Sequence, residues 1–132
     1  MVSAQKTVLD SEIVSAITEI FTKCPKILML LAFDSDQSEF QAAPHTDKTR
    51  QGGGINFYID LGGDNVYTRW WRATDMPLTM EGQFVSPVDY HKLREVHSYK
   101  FDTQHWYWFD SKTIHSVDRG NRPRKILAAA FD

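Results

Sequence analysis

Cysteine is almost missing from this sequence. Cys24 alone cannot close an intramolecular disulfide and leaves a thiolate zinc site without ligands, which fits reducing, cytoplasmic surroundings. Strong net charge is missing too: 15 basic residues against 17 acidic give −2, no field that would recruit nucleic acid or an anionic membrane. The longest apolar run, Ile27 to Phe33, falls far short of the ~20 residues that span a bilayer, and the N-terminus carries no signal pattern. No Gly-x-Ser-x-Gly motif is present, and Cys24 precedes Pro25 with no histidine nearby, so a nucleophilic mechanism has no machinery. Gly52-Gly53-Gly54 is not followed by lysine and Ser/Thr at phosphate-loop spacing, and it reads instead as part of a polar loop over 48–54.

What is present is enough for one core. With 132 residues, 42% of them hydrophobic, the chain predicts a single domain over residues 1–132. Aromatics are plentiful at 13%, and Trp70, Trp71, Trp106 and Trp108 all fall in its second half, where filling a β core is their default task.

Periodicity divides the chain into one helix and many strands. Leu9, Ile13, Ile17, Ile20 and Phe21 recur at helical spacing, with Thr7 and Asp10 as a capping signal and Pro25 as the stop, predicting an amphipathic helix over about 8–24 that covers a sheet. Strands are expected at Ile27 to Phe33, Phe40 to Asp47, Ile55 to Leu61, Val66 to Arg72, around Val96 to Tyr99, at Trp106 to Phe109, Ile114 to Val117 and Arg124 to Phe131. Leu61 to Asn65 reads as a turn that pairs its flanking strands as a hairpin, and residues 73–91 show little periodicity. About eight short strands without crossover helices predict a largely antiparallel, mainly β fold, a sandwich or barrel of jelly-roll type. In the Ile55 strand, Asn56, Tyr58 and Asp60 share the polar face, which either lines a pocket or meets water.

Chemistry concentrates at Pro44-His45-Thr46-Asp47. Two residues apart on extended backbone, His45 and Asp47 leave the same face, so an imidazole and a carboxylate aim at one spot. With His115 as a third ligand, they form a two-histidine, one-carboxylate set that holds one face of an octahedral metal and leaves three positions open, the arrangement of non-haem Fe(II) oxygen chemistry. Nine residues after His115 comes Arg124, whose fork suits a carboxylate co-substrate beside the open metal face. Arg124, Ile126, Ala128 and Ala130 alternate onto one face, where the alanines leave room. Arg122 is the rival for the carboxylate role. His91, His97 and His105 read as surface or hydrogen-bonded histidines, although a three-histidine site joining His97 or His105 to His45 is an alternative. Trp70 and Trp71 with Arg69 and Arg72 either frame a substrate groove or simply pack.

On His45-x-Asp47, His115 and Arg124, with Trp108-Phe109-Asp110-Ser111 leading towards His115, the sequence resembles the Fe(II)- and 2-oxoglutarate-dependent oxygenases, particularly the prolyl-hydroxylase and aspartyl/asparaginyl-hydroxylase branches. The resemblance runs from about Ile27 to the C-terminus. It implies a double-stranded β-helix, a jelly-roll of cupin type, behind the covering N-terminal helix. It also implies Fe(II) on His45, Asp47 and His115, with 2-oxoglutarate paired to Arg124. Asn56, Tyr58 and Thr68 would add hydrogen bonds to the co-substrate, and a peptide side chain or small molecule would be hydroxylated with molecular oxygen. The alternative is a cupin-like module that binds metal or a small anion without turnover.

Overall fold

The computed structural model describes residues 4–7, 11–21, 27–33, 40–47, 54–109 and 112–130. In chain order the elements are β1 (Ala4–Thr7), α1 (Ser11–Phe21), β2 (Ile27–Phe33), β3 (Phe40–His45), β4 (Gly54–Asp60) and β5 (Thr68–Ala73). Next come β6 (Met80–Glu81), β7 (Phe84–Val85), a 3-10 helix (Pro87–Lys92), β8 (Leu93–Tyr99), β9 (Trp106–Phe109), β10 (Ile114–Asp118) and β11 (Arg124–Ala130). The protein is mainly β, built as two antiparallel sheets. A five-stranded sheet has the order β1-β2-β11-β4-β9, and a six-stranded sheet the order β6-β7-β3-β10-β5-β8. No helix among the described residues is long and apolar enough to cross a membrane.

The central strand β11 explains how the layers stack. Successive side chains point to opposite faces, so Ala129 and Leu127 join Ile55, Ile17, Phe21 and Trp106 on one side, while Ile126 and Ala128 join Tyr58, Phe101 and Trp70 on the other. Helix α1 therefore covers the outer face of the five-stranded sheet, with the edge of Phe21 against Trp106 at 5.5 Å. It does so through Ile17 and Phe21. Ile20, expected on the buried stripe, is 61% exposed. The inner face of the same sheet meets the six-stranded sheet, and its alternation places Arg124 beside Ile126 and Ala128, and Asn56 beside Tyr58, on the inside.

Several sequence expectations need correction. Strand β3 ends at His45, so Asp47 stands just beyond the strand instead of within it. The described residues hold eleven strands where about eight were expected, because β1, β6 and β7 are too short for a periodic signal. Thr7, taken for part of the helix cap, closes β1, and residues 8–10 and 22–24 of the expected helix lie outside the described residues, as do residues 48–53 of the polar loop.

The largest error is the hairpin. β4 belongs to the five-stranded sheet and β5 to the other, where β5 pairs with β8 and β10, so the Leu61–Asn65 turn carries the chain between layers. Alternation identifies strands, but which strand they pair with is decided by packing across the core. Gly62 makes this crossing possible at φ +84, a left-handed conformation that suits glycine. Its carbonyl accepts the N–H groups of Asn121 at 2.8 Å and Arg122 at 3.1 Å. The β4–β5 crossing is thereby tied to the β10–β11 connection, directly beside Arg124.

Candidate metal centre

The centre starts from a pairing that no local sequence window contains. β10 runs antiparallel to β3 with His115 opposite His45, and residues directly opposite share a face of the sheet, which brings the two imidazole rings to 4.4 Å. His115 also faces Trp70 across β5, and Trp70 packs in the inner cluster, so both histidines look into the space between the sheets. Asp47 reaches back from just past the end of β3, where the Thr46 N–H donates to the Gln83 carbonyl at 3.0 Å and anchors the chain to the β6–β7 turn. His45, Asp47 and His115 can hold a metal ion: one ligand atom from each lies within 4.8 Å of the others. All are sheltered, with side chains 12%, 19% and 5% exposed in that order.

The hydrogen bonds behind the ligands favour a cation. Each imidazole directs Nδ1 at a main-chain carbonyl two residues earlier, His45 to Ala43 at 2.7 Å and His115 to Thr113 at 2.8 Å. A carbonyl only accepts, so Nδ1 carries the proton and Nε2 of the neutral ring is left with its lone pair, the arrangement found behind metal-ligating histidines. Those Nε2 atoms face the Asp47 carboxylate at 3.2 Å from His45 and 3.4 Å from His115. An ionised carboxylate also only accepts. Two lone pairs aimed at a carboxylate repel unless protons or a metal ion lie between them. Burial alone would raise the Asp47 pKa, but with protons in those two gaps the hydrogen bonds and charge from His115 and His45 outweigh it and hold the group well below the usual carboxylate range. Asp47 is therefore anionic at neutral pH, which suits a cation between the three side chains.

The second feature of the inner space is Arg124. It is 2% exposed, yet its interactions are a 3.2 Å hydrogen bond from Nη1 to the Leu61 carbonyl and a position 4.8 Å over the Tyr58 ring. Among the described residues, Nε is buried without a hydrogen-bond partner and no carboxylate pairs with this guanidinium. Burial lowers its pKa, partly opposed by Tyr58, so the charged form is disfavoured where it stands. An unpaired buried charge is a standing cost that a bound anion relieves. Gly62 closes one side of the arginine: a Cβ there would lie 3.3 Å from both the Arg124 Cβ and the Gln41 amide nitrogen.

Other expected residues divide clearly. Arg122 is exposed and bound to Asp60 at 2.9 Å, so the buried arginine is Arg124. Asn56 and Tyr58 lie on the buried face and are hydrogen-bonded to each other, amide to phenol oxygen at 3.2 Å. Thr68 is buried on the inner face of β5, with its hydroxyl lacking a hydrogen-bond partner among the described residues. Arg69 and Trp71 point to the opposite face of β5: Arg69 grips Asp118 with two hydrogen bonds at 2.8 and 2.9 Å, and the Trp71 indole N–H donates to Ser116 Oγ at 2.8 Å. Of the residues considered for a substrate groove, Trp70 faces inward. His91, His97 and His105 are exposed and form no ligand cluster with His45 among the described residues; His105 instead pairs with Asp102 at 2.8 Å.

Sequence reasoning missed Phe84, whose ring lies 5.3 Å from that of His45. Its strand is two residues long. The available signal was Gly82 between Met80-Glu81 and Phe84-Val85, the first central residue of a two-residue hairpin turn, where φ is +64. No protein-family model, curated protein or solved structure matches the chain.

Proposed function

We propose that the protein is an Fe(II)- and 2-oxoglutarate-dependent dioxygenase, a hydroxylase on a double-stranded β-helix, with His45, Asp47 and His115 as the iron ligands and Arg124 as the partner of the co-substrate's far carboxylate. The single observation that carries this reading is the buried Arg124 guanidinium without a carboxylate partner among the described residues, on the inner face of a sheet that looks towards a two-histidine, one-carboxylate cluster. An anionic co-substrate beside the metal would pair with that charge. Three protein ligands leave part of the coordination sphere open to exogenous oxygen donors.

Bound there, iron and 2-oxoglutarate would supply the oxidative chemistry: dioxygen is consumed, 2-oxoglutarate becomes succinate and CO2, and one C–H bond of the substrate becomes C–OH. The chain's own residues do the placing. The Ala43 and Thr113 carbonyls fix both imidazole tautomers so that Nε2 faces the ion. Asp47 contributes one negative charge, which leaves a divalent ion net positive and favours an anionic chelator. Arg124, Asn56, Tyr58 and Thr68 offer donors on the inner walls, and the cluster of Tyr58, Phe101, Ile126 and Ala128 keeps water from the space behind them.

The reading is tested by turnover without primary substrate. Protein supplied with Fe(II), ascorbate and 2-oxoglutarate is expected to release succinate slowly, and Asp47→Ala to release none. Succinate formation that is equal in wild type and Asp47→Ala, or absent from both while metal binds, leaves a binding module of cupin type as the account.

A further inference from the structure

Strand register places six side chains in one row across the six-stranded sheet. Glu81 stands opposite Phe84, Phe84 opposite His45, His45 opposite His115, His115 opposite Trp70, and Trp70 opposite His97. Directly opposed residues share a face, so all six rise from the inner side of the sheet. Ring separations bear this out: 5.3 Å for Phe84 and His45, 4.4 Å for His45 and His115, 5.4 Å for Trp70 and His97. The metal ligands occupy the middle, with one aromatic residue on each side.

The two sides differ. Trp70 is half-buried and packs against Phe101, and the row ends beyond it at His97, an exposed imidazole that offers no negative charge. Phe84 is 40% exposed although its ring touches a sheltered ligand, and Glu81 beyond it is exposed, with no ion-pair partner among the described residues. From the metal centre the row thus passes an exposed aromatic ring and ends at a carboxylate without an ion-pair partner among the described residues. Aromatic faces and carboxylates share one preference, for organic cations.

We propose that the primary substrate carries an ammonium or guanidinium group on an aliphatic chain, the cation held by Glu81 and the chain lying across Phe84 with a C–H bond presented at the metal. The class of substrate rests on the oxygenase reading; the cation site itself does not. Glu81 lies two strands from His45, about 10 Å at ordinary interstrand spacing, which leaves room for a spacer of several carbons between the charge and the reacting carbon. Phe84 and Glu81 are positioning residues, and neither touches the metal.

The test is an NMR titration of the full chain, following backbone amides, with two cationic probes and one neutral one. n-Butylamine represents a free amine, Nα-acetyl-lysine methylamide a lysine side chain within a peptide, and Nα-acetyl-norleucine methylamide the uncharged control. Shifts centred on Glu81, Gly82 and Phe84 are expected for the cations, with the neutral control roughly fivefold weaker or more. The tighter of the two cationic probes identifies the source of the group. Glu81→Gln is expected to weaken cation binding about threefold while leaving the neutral control unchanged, and Glu81→Lys to abolish the preference. Phe84→Ala should weaken both classes. Equal binding of lysine and norleucine derivatives, or an unchanged preference in Glu81→Lys, overturns the proposal. A parallel Zn(II) titration reads the His45 and His115 amides. Failure of Zn(II) to bind there sinks the oxygenase reading and leaves the cation result standing, whereas Zn(II) binding without cation preference sinks this proposal alone.

Discussion

Replacing Arg124 with methionine separates a residue that holds the fold from one that waits for a ligand. The side chain is buried, donates a hydrogen bond to the Leu61 carbonyl, lies over the Tyr58 ring and pairs with no acid among the described residues. Methionine fills similar space without charge. Against the loss of a charged hydrogen bond, about 1.5–3 kcal/mol, and a desolvated cation–π contact, about 2 kcal/mol, stands relief of an unpaired buried charge, several kcal/mol. The opposing contributions are of similar size, so ligand-free Arg124→Met is expected within about 1–2 kcal/mol of wild type. Ligand binding behaves differently. Removing one partner of a buried charge pair costs about 2–5 kcal/mol, which weakens 2-oxoglutarate binding by a factor of at least about 30. Urea unfolding of the Zn(II)-loaded protein, with and without 2-oxoglutarate, measures both effects. At one hundred times its Kd the ligand stabilises wild type by about 2.7 kcal/mol, and it is expected to leave Arg124→Met almost unaffected. A ligand-free variant that loses several kcal/mol, combined with ligand stabilisation equal to wild type, would refute the reasoning and make Arg124 a structural residue.

Three further outcomes are expected. In Gly120→Ala the added Cβ would overlap the Gly62 main-chain carbonyl, which cannot swing aside as a flexible side chain could, so the variant should lose about 1–3 kcal/mol in urea unfolding. Trp71→Phe leaves Ser116 Oγ, on a fully buried residue, without its indole donor and should cost about 1–3 kcal/mol by the same assay, with metal binding unchanged because Trp71 faces away from the centre. For pH, the Asp47 carboxyl is held below its unfolded value, so its contribution to the metal-free protein is fully present above about pH 4 and is lost as pH falls towards the folded value. Asp47→Asn should therefore flatten the dependence of unfolding free energy on pH below about 4; an unaltered slope would show that the carboxylate is not engaged.

The fold was legible where periodicity is local. β2 and β9 begin and end where the alternation and the apolar runs place them, and the inward face of β11 follows from the spacing of Arg124, Ile126 and Ala128. The candidate ligands were legible because His45 and Asp47 are two residues apart, even though Asp47 lies past the strand's end and turns back. Partner choice was not legible. β4 and β5 look like a hairpin in one dimension, and only the layering of Tyr58 against Trp70 and Phe101 sends them to different sheets. The row from Glu81 to His97 was equally hidden, since it joins six strands from distant parts of the chain. Its open end lies on β6 and β7, each too short to show a period. The choice between Arg122 and Arg124 also needed burial, because the sequence does not show that the strand starts only after Pro123, at Arg124. In the folded protein Asp60 engages Arg122 at the surface while Arg124 goes inside.

The central claim is that one metal ion sits on His45, Asp47 and His115 with its open face towards an anionic co-substrate. Anaerobic titration of the metal-free protein with Fe(II) and then 2-oxoglutarate addresses it most directly, through the weak visible metal-to-ligand charge-transfer band that keto-acid chelation at an open Fe(II) face produces. The band is expected in wild type, absent in Asp47→Ala, and in Arg124→Met seen only at much higher 2-oxoglutarate. Tight Fe(II) binding with no band at saturating 2-oxoglutarate would contradict the co-substrate assignment and leave a metal-binding β protein.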